Sequence, residues 1–306
     1  MFVGYFGHQE SRSESSGSGI GVVIVHYGAT ELTSRSVGSV LDDPSSCDRQ
    51  IVVVDNGGDL EASQGINGAR VVPSADNPGY GTGLNRGVRA LRDSGDLRGY
   101  LCLNNDVTLG SGFLDAAHRA LGDTDVGAVG GPTYEDPERS RLWYAGGSVN
   151  FALGSVRQER TASAAETARE VGFIPGAAIV INSRAWDEVG GFDERFFLYN
   201  EDVDLCLRLK RLGWRLLFVP GMESVHTLGG ATGSRSRSAL YLENLTRTRL
   251  RPFRPTAYRL YLAAIHTGWS FIRALSILCR GEPQAREKAR ALLRGHTIAL
   301  RSVFDK

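Results

Sequence analysis

IGVVIVHY (20–27), ELTSRSVGSVL (31–41) and IVVVDNGG (51–58) decide the fold. The first and third are short, apolar and β-branched, and they show no polar alternation. That is the pattern of strands covered on both faces. The segment between them has helical character and ends near Asp42 and Pro44. Each apolar run stops at a turn signal, Gly28 for the first and Asn56-Gly57-Gly58 for the second. A buried strand, a helix and another buried strand predict a parallel pair joined by a crossover.

Outward from this unit the alternation continues. ARVV (69–72), GYLCLNND (99–106) and DVGAVGG (125–131) read as strands. GTGLNRGVRALRDSG (81–95), with Leu84, Val88 and Leu91 on one face, and SGFLDAAHRAL (111–121) read as helices. An α/β fold with a mostly parallel sheet follows, and ligands of such sheets sit beyond the carboxyl ends of the strands. His26, Asp55, Asn56 and Asn104–Asp106 stand at those ends and are expected to converge on one crevice. The alternation is lost from about residue 132 to 170, where 141–157 reads as irregular hairpins. GFIPGAAIVINSRAWDEVGGF (172–192) then gives a strand and a short helix. EDVDLCLRLKRLGW (201–214) gives an amphipathic helix, and WRLLFVP (214–220) a strand.

The chain has 306 residues, 42% hydrophobic, enough to bury a core and to exclude global disorder. Its net charge of +1 argues against a wholly basic nucleic-acid binder. The charge is unevenly spread. Residues 240–306 carry 13 Lys+Arg and 4 Asp+Glu, a balance of +9, against −8 for residues 1–239. Cys47, Cys102, Cys206 and Cys279 lack metal-ligand or redox spacing, so a reducing cytosolic compartment without disulfides is expected. Residues 1–19 read as a flexible leader without a secretory signal. The longest apolar run, Leu260 to Cys279, is interrupted by His266 and Arg273, which argues against a spanning helix.

Four places can carry chemistry. NPGYGTGLNRG (77–87) fails the dinucleotide fingerprint, because Leu84 and Arg86 stand where glycine is needed. It reads either as a plain turn or as a loop cradling a nucleotide through backbone N–H groups. Asp106 ends a buried strand, as a turn residue or as an oxygen ligand for a hard cation. Glu201, Asp202 and Asp204 open a helix, either as dipole-favoured caps or as a fixed general base. His226 reads as an ordinary loop histidine or as a second ligand to the metal of Asp106.

Taken in order, VVIVHYG, VVVDNGG, NPGYGTGLNRG, LCLNNDV, GFDERFFLYNEDVDLCLRLKRLGW and VPGMESVHTLGG resemble family 2 of the nucleotide-sugar glycosyltransferases, on the side of its bacterial rhamnosyltransferase and galactofuranosyltransferase-like branch. The likeness covers roughly residues 20–250 and includes YLENLTRTRL (241–250). It implies a GT-A-type, Rossmann-like nucleotide-binding sheet over 20–239, with a nucleotide half (20–131) and an acceptor half (132–239). A basic helical extension would follow over 240–306.

The resemblance also implies roles. Asp55 would read the pyrimidine base, and His26 and Tyr27 would line the nucleotide pocket. Asn77, Gly79 and Asn85 would form the nucleotide-proximal loop, with Asn104 and Asn105 beside the donor. Asp106, as the last carboxylate of an Asp-x-Asp motif, and His226 would hold Mg2+ or Mn2+ against the diphosphate. Asp202, preceded by Glu201, would be the catalytic base. His226 follows Asp202 by 24 residues, in accord with the family's spacing. Asn104 replaces the first Asp of the motif, which weakens a metal ligand and favours deoxythymidine-diphosphate-rhamnose as donor. The implied reaction is inverting, because one in-line attack by an acceptor hydroxyl needs no covalent intermediate.

A galactofuranosyl or other hexosyl transfer is the alternative within the family, and a non-catalytic nucleotide-sugar-binding protein the alternative outside it. The expected acceptor is a glycan, a lipid-linked saccharide or a natural product, as in bacterial cell-wall or polysaccharide synthesis. The expected location is the cytoplasm. The tail joins arginines to Tyr258, Leu262, Trp269, Phe271 and Leu275. That pattern suits either a peripheral contact with the inner face of the membrane or helices packed on the body or in a homodimer.

Overall fold

A computed structural model describes residues 17–60, 66–74, 76–92, 95–161, 168–227 and 238–304. Most of the expected leader and residues 228–237 lie outside them. The chain runs β1 (Gly19–His26), α1 (Thr30–Leu41), β2 (Asp48–Asp55), β3 (Arg70–Pro73), α2 (Tyr80–Leu91), β4 (Leu97–Asn104), β5 (Val107–Leu109), α3 (Phe113–Ala120) and β6 (Val126–Gly130). Then come β7 (Thr133–Tyr134), β8 (Leu142–Tyr144), β9 (Gly147–Asn150), β10 (Ser155–Gln158), β11 (Arg169–Glu170), β12 (Ala178–Asn182), α4 (Ser183–Val189), α5 (Glu201–Arg211), β13 (Arg215–Phe218) and β14 (Ser224–His226). Three helices close the chain: α6 (Ala239–Thr248), α7 (Thr256–Cys279) and α8 (Ala285–Arg301).

The main sheet has the order β11-β13-β6-β12-β4-β1-β2-β3. Its β4-β1-β2-β3 half is parallel throughout. Strand β12 enters antiparallel between β4 and β6, so the sheet is less uniformly parallel than alternation alone predicts. All eight residues of β1 are buried. Val23 and Val25 face the core shared with α2, α4 and α5, while Val22 and Ile24 face the one shared with α1 and α3. Burial on both faces is why this strand reads as a continuous apolar run. Helix α2 lies close to the sheet at Gly87, where a Cβ would run into Val23.

A four-stranded sheet, β5-β14-β7-β8, flanks the carboxyl ends of the main strands. Strand β5 is too short to show in the sequence pattern. It pairs antiparallel with β14, placing His226 opposite Val107. The hairpin β9–β10 accounts for part of the irregular stretch.

The C-terminal helices are not a detached tail. Leu250, Phe253, Leu262, Ala263, Ala299 and Val303 join the same hydrophobic cluster as the sheet and α5. Of the residues assigned to a surface pattern, Leu262 is buried and Tyr258 packs on that cluster, whereas Trp269, Phe271 and Leu275 are exposed. Despite His266 and Arg273, helix α7 is long and apolar enough to cross a membrane by length and composition. A third of its apolar window is packed inside the protein.

Candidate active site

Three strand ends meet as expected. His26 pairs in register with Asp55, and Val25 with Asn104. A side-chain relay ties them. Asn105 Nδ2 donates to the Tyr27 carbonyl and to Thr33 Oγ1, both at 3.2 Å. Thr33 Oγ1 lies 2.6 Å from His26 Nδ1, and His26 Nε2 lies 2.9 Å from Asp59 Oδ1. A direction for every proton follows if Thr33 donates to Nδ1 and the imidazole carries its hydrogen on Nε2.

His26 is fully buried and Asn105 nearly so. Both His26 nitrogens and the Asn105 amide nitrogen are engaged within the protein, where they brace the crevice. What they present is Asp59, an exposed residue not singled out from the sequence, although DNGGD ends on it. Tyr27 is exposed at the mouth. Asp55 is buried and accepts from the Gly58 and Leu60 N–H groups at 2.7 and 3.1 Å.

The glycine-rich segment also differs from expectation. Gly79 has φ of 99°, and a Cβ there would strike the Phe197 carbonyl. Its close approach is therefore to the chain leading into α5. Tyr80 N–H donates to that same carbonyl at 3.0 Å, and Asn56 Nδ2 donates to the Gly79 carbonyl at 3.1 Å. Asn85 donates to the Phe192 carbonyl and accepts from the Phe192 N–H, both at 2.9 Å, so it clamps the 190s loop. Asn77, in a left-handed turn, donates to the Ser74 carbonyl, and Ser74 N–H reaches the Asp55 carbonyl. That keeps Asn77 near the pocket. Asn104 is half-buried, its N–H bonded to Ala177 and its carbonyl to Ser36.

The three carboxylates opening α5 have three different surroundings. Asp204 forms a 2.6 Å ion pair with Arg208, whose other nitrogens hold the Val189 and Gly191 carbonyls. Asp202 accepts from Gly176 N–H at 2.9 Å and from Val203 N–H at 2.8 Å. Glu201 is buried, and its Oε2 has no partner among the described residues. Burial first, and then the Asp202 charge, push the Glu201 carboxyl up to about 8. Burial also raises Asp202, opposed by its backbone N–H donors. Of the two, Glu201 takes the proton, because it lacks those donors, and Asp202 remains the anion at the positive end of the helix.

Asp106 and His226 are brought together by β5 and β14. Asp106 Oδ1 lies 3.1 Å from His226 Nε2, and both side chains are nearly buried. Two lone-pair atoms that close need a proton or a cation between them. Neighbouring ligands about 2.1 Å from an octahedral ion are about 3.0 Å apart, so the pair fits a divalent cation. The other nitrogen, Nδ1, is buried without a partner among the described residues. His26, Asp55 and Asp59 form a second group with donor atoms within 4.8 Å of one another. There both His26 nitrogens, both Asp55 oxygens and Asp59 Oδ1 already take part in hydrogen bonds, so a cation would have to compete with them.

Tyr80 connects the parts. Its hydroxyl donates to the Gly176 carbonyl at 2.7 Å. Burial chiefly, aided by the carboxylates of Asp202 and Asp106, holds this phenol well above its ordinary range. Gly176 thus touches both Tyr80, through its carbonyl, and Asp202, through its N–H.

The sequence profile of the family described as "Glycosyltransferase like family 2" matches residues 18–251. An N-acetylglucosaminyl-diphospho-decaprenol L-rhamnosyltransferase of Mycobacterium tuberculosis is 30% identical over 261 residues, 78% of each chain. Among solved structures, a mannosyltransferase from Pyrobaculum calidifontis in complex with GDP-Man and Mn2+ superposes with a TM-score of 0.53. It shows 16% identity over 94% of this chain and 87% of that one. GalNAc-T7 with UDP, GalNAc and Mn2+ gives a TM-score of 0.57 at 14% identity, covering 76% of this chain and 48% of that one. These last two likenesses bear on the fold, which is that of GT-A glycosyltransferases.

Proposed function

Because the chain belongs to glycosyltransferase family 2, we propose that it moves rhamnose, with inversion, from deoxythymidine-diphosphate-rhamnose to an acceptor hydroxyl. Sugar transfer itself follows from family membership. The observation that carries the mechanism is the pair Glu201–Asp202, in which Asp202 accepts from two backbone N–H groups while buried Glu201 has an Oε2 without a partner among the described residues.

In this reading Asp202 takes the proton of the acceptor hydroxyl as its oxygen attacks the anomeric carbon. The nucleoside diphosphate leaves from the opposite face. Glu201, protonated, keeps the second carboxylate from repelling the first. Asp55, Tyr27 and Asn77 meet the nucleotide, and the Asn105–Thr33–His26 relay fixes Asp59 at its edge. Asp106 and His226 would hold Mg2+ or Mn2+, and a bound ion would supply neutralising charge for the leaving diphosphate. The neutral Asn104 and the likeness to a rhamnosyltransferase support rhamnose over galactofuranose. A lipid-linked saccharide is the acceptor class we favour, since that relative's name specifies a diphospho-decaprenol substrate.

The test is a panel of nucleotide sugars, with slow hydrolysis and transfer both monitored. Preferential turnover of the rhamnose donor is expected. Preferential turnover of a galactofuranose donor would overturn the choice of sugar while leaving the base assignment standing.

A further inference from the structure

Helix α7 turns a charge-free apolar face outward. Tyr261, Trp269, Phe271, Ile272, Leu275 and Leu278 are exposed, Ile272 by 70% and Leu275 by 60%. Most recur at steps of three and four, so they share one side of the helix. The helix contains no Asp, Glu or Lys, and of its two arginines Arg259 is buried and Arg273 half-buried. A helix packed on a water-soluble body ordinarily shows charge on its outer face. This one shows a continuous apolar patch of the kind that marks an interaction site. The Arg249 guanidinium, 4.2 Å from the Trp269 ring centre, holds that aromatic in place.

The surroundings are cationic. Arg280 directly follows the helix, and Arg286, Arg290, Arg294 and Arg301 are exposed on α8, which packs against it. Residues 240–306 carry a balance of +9. We propose that the α7–α8 hairpin docks on an anionic lipid bilayer. Helix α7 would lie in the interface plane with its apolar stripe below the headgroups, and the α8 arginines would lie among them.

Charge selects this occupant over a second copy of the chain. Two such faces would set the exposed Arg280, Arg286, Arg290, Arg294 and Arg301 of one copy against those of the other, whereas an anionic leaflet supplies the complementary sign. Packing selects lying over spanning. The inner side of α7 is fixed to the protein by the Arg259 bond to the Ser302 carbonyl at 3.0 Å and by the Arg249 contact to His266 at 3.2 Å. Threading the helix through a bilayer would break both. The proposal goes beyond the sugar-transfer reading and does not rest on it.

The experiment is co-sedimentation of the full chain with two vesicle types, phosphatidylcholine alone and phosphatidylcholine with about 30% phosphatidylglycerol. Binding to the anionic vesicles at low salt, weakened as salt rises, is expected. Ile272→Ser with Leu275→Ser should lower the bound fraction about tenfold. Arg286→Gln with Arg290→Gln should lower it at low salt and add little at high salt. Unchanged thermal unfolding midpoints in the variants show that the fold is intact. A chain that pellets with neither vesicle overturns the proposal. So does equal, salt-insensitive binding to both, or a dimer in light scattering that the Ile272/Leu275 variant dissociates.

Discussion

Thr248 Oγ1 lies 2.8 Å from Asn200 Nδ2 and 3.0 Å from the Tyr199 carbonyl oxygen. One hydroxyl near the end of α6 therefore accepts from Asn200 and shares its proton between the Tyr199 carbonyl and the Asn244 carbonyl of its own helix, at 2.9 Å. Both residues that launch α5 are left-handed, Tyr199 at φ 68° and Asn200 at φ 65°, a conformation that non-glycine residues hold only under constraint. Asn200 adds a bond to the Leu245 carbonyl at 3.1 Å, and the Tyr199 and Tyr241 rings meet edge to face. Helix α6 is thus part of the device that aims Glu201 and Asp202.

Thr248→Val keeps the shape and removes the hydroxyl. Loss of such bonds costs about 1–2 kcal/mol, and the loosened turn should lower kcat about tenfold with donor KM changed less than about twofold. Thr248→Ser should restore kcat. Steady-state kinetics on both variants check this, and an unchanged kcat in the valine variant removes the positioning role.

Asp202→Asn should abolish transfer, by about a thousandfold or more, while nucleotide binding persists. The amide keeps the shape but accepts from only one of the Gly176 and Val203 N–H groups, which bind different Asp202 oxygens, and it takes up no proton. Donor affinity by calorimetry, beside transfer rates, separates the two effects. Near-normal turnover would mean that another group takes the proton.

The fold was legible because β1, β2 and β4 are buried on both faces and their apolar runs admit little else. The nearness of Asp55 and Asp106 was legible from their places at strand ends, whereas the pairing of Asp106 with His226 was legible only through family likeness, since 120 residues separate them. At 26, 79, 85 and 105 the structure shows partners within the chain that the sequence did not reveal, for one physical reason. A histidine or asparagine at a strand end, or a glycine in a loop, looks the same in sequence whether it faces a ligand or another loop. Asn85 faces Phe192 and Gly79 faces Phe197. Strand β5 and the Thr248 clamp left no periodic signal.

Removal of either cation ligand should separate metal binding from folding. Asp106→Ala or His226→Ala should weaken Mn2+ binding at least about tenfold, and exhaustive chelation should silence the unaltered enzyme. Calorimetric titration with Mn2+ alone provides a readout independent of turnover. Undiminished Mn2+ affinity in both variants would shift attention to His26, Asp55 and Asp59.

Glu201 should leave a signature in stability against pH. Its carboxyl rises from 4.5 in the unfolded chain to about 8 in the folded one. Between those values the folded state binds more protons than the unfolded state, so this group makes stability fall as pH rises, levelling off above about pH 8. Glu201→Gln keeps the neutral form at every pH. The variant should lose that slope and gain up to a few kcal/mol over the unaltered protein near pH 8, with little difference near pH 4. Because Asp202 retains its N–H donors, Glu201→Gln should also keep much of the transfer activity that Asp202→Asn loses. Urea midpoints at about pH 5 and about pH 8 measure the slope. A Gln variant with the same pH dependence as the unaltered chain would show that Glu201 is ionised in the fold, and the proton would then have to reside on Asp202.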